Sequence, residues 1–298
     1  MRLGVHVSIV GGLSEALARA TRLSCTTMQI FSRSPRGGPA PTFPEEDLRA
    51  FHQQRRQAGI EPLIVHCPYM INLASPDRLV WAQSLALYQQ EYRRCEQLGA
   101  DYLVTHVGSH KGAGEDAGIT RVAEALNRTL DGANGSVMVL LENTAGSGQG
   151  LGYQFEQLAA IREQVARKER VGICLDTAHL FAAGFPIHTD EGLEETLRTF
   201  DRVLGFTHLK VMHLNDSKSA FDSHVDRHWH IGEGAIGLEA MRRIVNHPQL
   251  HTLPFILETP KKPGHSGKRT RRVGEEEDRR NLATVRSLIN HVGADGHK

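Results

Sequence analysis

Short apolar segments alternate along the chain with longer segments of mixed polarity, and this alternation predicts a repeated order of strand and helix. Eight apolar segments of four to six residues have the length and character of buried strands. They cover residues 3–7, 27–31, 63–66, 102–106, 137–142, 171–176, 208–213 and 254–258. Near-continuous apolar character is typical of strands in a parallel sheet that is covered on its faces.

The longer segments between these strands carry helix signals. We predict helices at residues 14–23, 44–58, 116–130, 154–167, 190–203, 238–246 and 275–291. A further helix is expected between Ser75-Pro76, which fits an N-cap and first-turn pair, and Gly99, which fits a C-terminal stop. Eight strands separated by helices predict an α/β fold, the closed (β/α)8 TIM barrel, and residues 1–298 fit one domain of this type.

The composition is compatible with this barrel and argues against a disulfide-stabilised or strongly basic protein. With 298 residues and 40% hydrophobic content, the chain can bury the core of a barrel of roughly 250 residues. The formal net charge is only +1, so a polyanionic partner would need a local basic patch. The four cysteines lack C-x-x-C spacing, which argues against a disulfide framework or a thiolate zinc site and fits reduced thiols in the cytoplasm.

Nothing in the sequence predicts a membrane or secretory segment. No apolar run reaches the ~18 residues of a membrane helix. Met1-Arg2-Leu3-Gly4 enters the first strand at once, which leaves no room for a signal peptide. We therefore expect a cytoplasmic protein without a membrane partner. Neither an oligomer nor an obligatory protein partner is predicted, so we expect a monomer.

Six consecutive predicted strands end in side chains that can bind a metal ion. In chain order, strands three to eight finish in His66, His106, Glu142, Asp176, His213 and Glu258. Strands usually end in turn residues such as Gly, Asn or Pro, so six such ends in succession are improbable by chance. Active sites of (β/α)8 barrels lie at the carboxyl ends of the strands. These six side chains are therefore expected to face one pocket.

Three further side chains extend this set. His179 follows Asp176 by three residues, in a segment that we interpret as a loop. The stretch from His213 to Gly234 adds Asp226 and His228, which project to the same side of an extended segment and can bind one ion together. Nitrogen and oxygen donors together suit zinc better than magnesium. Nine candidate ligands are too many for one zinc ion and about right for three ions that share a carboxylate.

Short motifs surround these candidate ligands. In chain order they are Leu141-Glu142-Asn143-Thr144-Ala145-Gly146, Cys174-Leu175-Asp176-Thr177-Ala178-His179, His213-Leu214-Asn215-Asp216-Ser217, Asp226-Arg227-His228 with Ile231-Gly232-Glu233-Gly234, and Leu257-Glu258-Thr259-Pro260. Together and in this order they resemble the motifs of the endonuclease IV family of zinc-dependent apurinic/apyrimidinic (AP) endonucleases. The resemblance runs from the first strand to the last helix, and all nine ligand positions of the family pattern hold the expected residue types.

The resemblance implies a ligand set and a reaction. The first zinc would be held by His66, His106 and Glu142, the second by Glu142, Asp176, His213 and Glu258, and the third by His179, Asp226 and His228, with Glu142 as the bridge. Cleavage of duplex DNA would fall on the 5′ side of an abasic sugar and leave a 3′-hydroxyl and a 5′-deoxyribose phosphate. Zinc lowers the pKa of bound water to about 7, which makes a nucleophile available near neutral pH. Glu142 and Glu258 are then the catalytic carboxylates, and Glu258 could also orient the nucleophile.

Loops above the barrel would recognise the DNA. Ser32-Arg33-Ser34-Pro35-Arg36 resembles the family's DNA-penetrating loop, with Arg36 as the inserted cation, although the family commonly carries a tryptophan where Gly37-Gly38 follow. Tyr69 occupies the place of an aromatic wedge, and a wedge unstacks bases most easily where one is missing. A basic run after the eighth strand is expected to contact phosphates; it comprises Lys261, Lys262, Lys268, Arg269, Arg271 and Arg272.

Other functions remain open from the residues alone. A metal-dependent sugar isomerase or epimerase of the same barrel class also gathers His, Asp and Glu at its strand ends. Such an enzyme needs only one or two ions and has no use for a wedge at Tyr69 or for the basic run. A non-catalytic binder of DNA lesions would have no use for an open zinc cluster. His6, on the first strand, is a candidate partner for a ligating group rather than a ligand.

Overall fold

The computed structural model describes residues 1–261 and 274–289, and its parallel strands close into a barrel. The strands are β1 Arg2–Val7, β2 Met28–Phe31, β3 Leu63–His66, β4 Tyr102–His106, β5 Met138–Glu142, β6 Val171–Asp176, β7 Leu209–His213, β8 Asp216–Ser217, β9 His228–Trp229 and β10 Pro254–Leu257. Each of β1 to β6 pairs with the next strand along the chain, and β10 pairs with both β7 and β1 to close the ring. The predicted (β/α)8 barrel is confirmed.

The two shortest strands lie outside the barrel and were not predicted. β8 and β9 pair antiparallel, Asp216 opposite Trp229 and Ser217 opposite His228, within the long connection from β7 to β10. They are two residues long, which is too short to leave a period-two pattern in the sequence. This small sheet holds the segment that carries His228 against the barrel.

Helices cover the outside of the barrel. They are α1 Leu13–Arg22, α2 Glu45–Ala58, α3 Arg78–Leu98, α4 Glu115–Leu130, α5 Phe155–Glu163, α6 Thr177–Ala182, α7 Asp190–Val203, α8 Leu238–Asn246 and α9 Glu275–Leu288. Most bounds agree with the predicted helices to within one or two residues. None of the helices in the described ranges is long and apolar enough to cross a membrane.

Three details of the predicted helices were wrong. The N-cap of α3 is Asp77, which accepts from the backbone N–H groups of Leu79 and Val80, whereas Ser75 accepts from Asp77 in the preceding turn. α5 ends at Glu163 rather than at Arg167, and Arg167 lies beyond the helix and donates to the carbonyl oxygens of Leu130 and Ala133. The segment after Asp176 is the helix α6 rather than a loop.

The core has two parts. A small cluster fills the barrel interior and consists of Ile64, Val104, Leu140, Cys174, Val211 and Ile256. A much larger cluster packs the outer faces of the strands against the helices. On β1, a Cβ atom at Gly4 would collide with the backbone carbonyl oxygen of Thr27, so only glycine allows β1 and β2 to approach this closely. All four cysteines are buried free thiols.

Candidate metal centre

The carboxyl ends of the barrel strands bring the predicted ligands together. Among the described residues, ligand atoms within 4.8 Å of one another form three groups: His66, His106 and Glu142; Glu142, Asp176, His213 and Glu258; and Asp176, His179 and His228. Glu142 is common to the first two groups, and it is the residue that the family resemblance gives as the bridging carboxylate. Asp176 is common to the last two, which the sequence did not indicate.

In the first group, two imidazoles converge on one carboxylate oxygen. His66 Nε2 lies 3.0 Å and His106 Nε2 lies 2.8 Å from Glu142 Oε2. The other ring nitrogen of His66, Nδ1, donates to the carbonyl oxygen of Cys67 at 2.7 Å. This hydrogen bond commits Nδ1 to the backbone, so Nε2 is the nitrogen that faces the site and can bind a metal ion.

The second group is the most buried. His213 Nδ1 lies 2.9 Å from Glu142 Oε1 and 3.3 Å from Glu258 Oε2. Asn215, two residues after His213, donates to Asp176 Oδ2 at 2.6 Å and accepts from the backbone N–H of Glu258 at 2.8 Å. Asn215 thus fixes two of the carboxylates, although the sequence singled it out only as part of a motif.

The third group lies nearer the mouth of the site. Asp226 Oδ2 is 3.2 Å from His179 Nε2, and Asp226 Oδ1 is 3.3 Å from His228 Nε2, so Asp226 lies beside both imidazoles. Its side chain is 47% exposed, in contrast to the fully buried Asp176. Asp176 is the N-cap of α6 and accepts from the backbone N–H of His179, which places both side chains on the same side of the helix start.

The charged side chains of the centre shift one another's pKa values. Burial raises the pKa of Glu142, but the neighbouring His106 and His213 outweigh it and hold the pKa well below its usual range. Burial lowers the pKa of His179, but the charges of Asp176 and Asp226 outweigh it and raise the pKa to about 10. In the absence of a metal ion, protons on the imidazoles therefore compensate the carboxylates.

The donor set fits divalent cations. The ion pairs that Glu142 makes within the described residues are all with imidazoles, and its carboxylate is 0% exposed. A buried carboxylate is costly unless a charge compensates it, and imidazole nitrogens with carboxylate oxygens are the ligands of many protein zinc sites. The residues present are thus compatible with the three-ion arrangement that the sequence predicts.

The predicted recognition residues lie at the rim. Arg36 is exposed on the loop after β2, whereas Arg33 is buried and paired with Glu91. Tyr69 is 64% exposed, and its ring centroid lies 5.8 Å from that of His66. The adjacent Met70 is 52% exposed and forms with Tyr69 an apolar pair that the sequence analysis did not predict.

Two cavities flank this rim, and Tyr69 lines both. A cavity of about 700 Å³ opens between the loops after β1, β2 and β10 and is lined mainly by apolar atoms, with Glu258 at its floor. A second, of about 360 Å³, extends from His106, His179 and Asp226 over the loops after β4 and β5. The ligand groups therefore open onto spaces for a ligand on both sides of Tyr69.

The basic run is mostly outside the described residues. Of its members, only Lys261 is described, and its ammonium donates to the carbonyl oxygen of His6 at 2.7 Å and pairs with Asp278 at 2.8 Å. These contacts hold Lys261 beside the barrel. The remaining five basic residues, from Lys262 to Arg272, lie outside the described ranges, so their phosphate contacts stay a prediction.

Comparison with known proteins gives a consistent result. A family model described as a xylose isomerase-like TIM barrel matches residues 17–285. The probable endonuclease 4 of Chloroflexus aurantiacus is 46% identical over 291 residues, which cover 97% of this chain and 98% of that protein. The probable endonuclease 4 of Geobacter sulfurreducens is 41% identical over 290 residues, covering 96% and 94% of the two chains.

Solved structures similar to this chain differ in their sequence identity to it. The crystal structure of endonuclease IV from Thermus thermophilus has a TM-score of 0.83 and 33% identity, and covers 97% of this chain and 98% of that chain. A D-tagatose 3-epimerase-like protein has a TM-score of 0.68 at 17% identity and covers 97% of both chains. At that identity the likeness to the epimerase shows the fold alone.

Proposed function

The chain belongs to the endonuclease IV family, and we propose that it is an AP endonuclease that hydrolyses the phosphodiester on the 5′ side of an abasic sugar in duplex DNA. The names of the relatives and the similar solved structure support a DNA-cleaving hydrolase. The products would be a 3′-hydroxyl and a 5′-deoxyribose phosphate. The convergence of nine ligand-type side chains at the carboxyl end of one barrel carries the proposal.

Zinc is the proposed cofactor, with three ions per chain. The first ion would be held by His66, His106 and Glu142, the second by Glu142, Asp176, His213 and Glu258, and the third by His179, Asp226 and His228. Bound zinc would lower the pKa of water to about 7 and neutralise charge on the phosphate. Asp176 lies within reach of the third group as well and could share its carboxylate between two ions.

The protein side chains hold and orient the reacting groups. His106 and His213 keep the pKa of Glu142 low, so its carboxylate remains charged and available to two ligand groups. Glu258 lies where the second group meets the larger cavity, so one carboxylate can bind at the metal site and face the substrate. This position supports a role for Glu258 in orienting the nucleophile as well as in ligation.

The exposed residues at the rim would select the abasic site. Tyr69 lines both cavities, Met70 is exposed beside it in the chain, and Arg36 is exposed on the neighbouring loop. An apolar wedge that enters a base step must unstack it, which costs a few kcal/mol and costs least where a base is absent. Specificity for abasic DNA would therefore come from the cost of deforming the duplex.

Cleavage of a duplex oligonucleotide with one abasic site tests the proposal directly. We expect incision at that site by the purified protein, loss of incision after the metal is stripped, and recovery when zinc is restored. An intact duplex of the same sequence is the control and should stay uncut. A folded, zinc-loaded protein that leaves the abasic duplex intact would overturn the proposal and favour a metal-dependent sugar isomerase, to be tested against small carbohydrates.

A further inference from the structure

Gln29 lies on β2 beneath the metal centre and contacts two of the proposed ligands. Its side chain is 0% exposed. The amide nitrogen donates to Glu258 Oε1 at 2.6 Å, and the amide oxygen lies 2.8 Å from His213 Nε2. Glu258 and His213 come from the ends of two other strands, so Gln29 connects three strands below the second ligand group.

The chemistry of these contacts leaves one assignment of protons. A carboxylate can only accept a hydrogen bond, so the amide nitrogen of Gln29 must face Glu258. The amide oxygen then faces His213, and because it can only accept, Nε2 of His213 must carry the proton. The opposite nitrogen, Nδ1, is the atom that faces Glu142 at 2.9 Å. With Nε2 committed to Gln29, Nδ1 is the nitrogen of His213 whose lone pair a bound ion would use.

Other imidazoles of the centre are fixed by the protein backbone. His66 donates to the carbonyl oxygen of Cys67 at 2.7 Å, and His179 donates to that of Asn143 at 2.9 Å. Such partners set the tautomer of a ligating histidine and raise its basicity. For His213 the partner is the side chain of Gln29, so this hydrogen bond can be removed by substitution.

We propose that Gln29 is a positioning residue of the second metal group, which holds His213 in the Nε2-protonated tautomer and orients Glu258. The inference rests on the proposed metal site. Gln29 acts through His213 and Glu258, which it contacts. Its second amide hydrogen is directed to His6 Nδ1 at 2.9 Å, so the amide is also held in place from the side of β1.

The test combines zinc affinity with a spectroscopic readout of the tautomer. Gln29→Met keeps the length of the side chain and removes its hydrogen bonds to Glu258, His213 and His6. We expect competition with a chelator to show zinc bound about 10- to 100-fold more weakly at one site, the usual cost of losing such a partner. In ¹H–¹⁵N spectra of zinc-loaded, histidine-labelled protein, the His213 Nε2–H signal should move upfield and exchange faster with water, because its proton loses the acceptor on Gln29; a His213→Asn variant assigns that signal.

Two further variants separate the contributions. Gln29→Glu keeps an oxygen for His213 and places a carboxylate against Glu258, so we expect the Nε2–H signal to persist while kcat falls. Gln157 is a matched control, since it is also buried and its amide accepts from the backbone N–H of Gly152 at 2.7 Å, away from the ligand groups. Gln157→Met should leave zinc affinity within about threefold of the wild type.

Each outcome decides between the inference and its premise. Suppose that the wild type binds zinc and incises DNA, and that Gln29→Met keeps the same zinc affinity and the same His213 signal. This result would overturn the role of Gln29 and leave the proposed function intact. A wild-type protein that binds no zinc would instead refute the proposed metal site. If Gln29→Met does not fold, the spectrum of the zinc-loaded wild type still decides, because a proton on Nδ1 of His213 in that state contradicts the inference.

Discussion

Glu142 and Asp176 connect the three ligand groups, because each carboxylate belongs to two of them. Both are fully buried, and the groups that compensate them are imidazoles or amides from other strands. Glu258 differs, since it also borders the larger cavity. This difference predicts that the carboxylates contribute unequally to ion binding and to turnover.

Substitution of Glu258 tests this difference at a single residue. Glu258→Gln keeps the shape of the side chain and removes the charge that would orient the nucleophile. We expect binding of abasic duplex to be retained while kcat falls at least about 100-fold, the scale of a lost catalytic group. Single-turnover cleavage with a gel-shift measurement of binding checks both. Near-normal turnover would refute the catalytic assignment.

Among the structural elements, the β7–α8 connection depends on one buried carboxylate. Asp216 is 0% exposed and accepts from the backbone N–H groups of Ser217, Gly232, Gly234 and Ile236 at 2.8 to 3.0 Å. A Cβ atom at Gly234 would lie 2.5 Å from Asp216 Oδ1, so the loop can close around the carboxylate only with glycine there. Asp216 therefore supports the segment that carries Asp226 and His228.

Replacing Asp216 should destabilise this connection. In Asp216→Asn an amide N–H₂ would face backbone donors, so we expect the free energy of unfolding to fall by about 2–3 kcal/mol. Chemical denaturation of the metal-free protein measures this loss. Asp222→Asn is the control, because Asp222 is exposed on the same connection and should change stability by less than about 0.5 kcal/mol. Equal effects of the two substitutions would contradict the role of Asp216.

At the scale of the whole molecule, ion binding and folding should be coupled. The ligands come from the ends of six barrel strands, from α6 and from the connection after β7, so the complete site exists only in the folded barrel. Ions that bind the folded chain and not the unfolded chain stabilise it by about 2.7 kcal/mol per site at 100 times the dissociation constant. Stripping the metal should therefore lower Tm by at least about 5 °C.

The size of this stabilisation should depend on pH. In the folded, metal-free protein the pKa of His179 is raised to about 10, whereas in the unfolded chain it is about 6.5. Protonation of His179 therefore stabilises the fold fully below about pH 6.5, and this stabilisation is lost as the pH rises from about 6.5 through 10. A metal ion must displace this proton. The Tm difference between loaded and stripped protein should therefore be larger at pH 8.5 than at pH 6.5. Calorimetric scans at both values measure it, and a smaller difference at pH 8.5 would contradict the expectation.

The sequence by itself determined the order of the strands and the residue types at their ends. Both depend on local patterns: apolar runs of fixed length specify buried strands, and parallel strands that close into a barrel bring their carboxyl ends together. His66, His106 and Glu142 could therefore be placed in one site before any coordinates. Local patterns failed at short features, since neither the one-and-a-half-turn helix α6 nor the two-residue strands β8 and β9 have room to show a period.

Only the tertiary structure decided which side chains support the ligands. Gln29 and His213 are 184 positions apart. Gln29 is a polar residue in an apolar strand, and the sequence does not indicate which residue it contacts. The same holds for the sharing of Asp176 between two groups and for the burial of Arg33 against Glu91, which leaves Arg36 as the exposed cation of the loop. Such contacts depend on barrel closure and register, which bring together groups that local sequence patterns cannot relate.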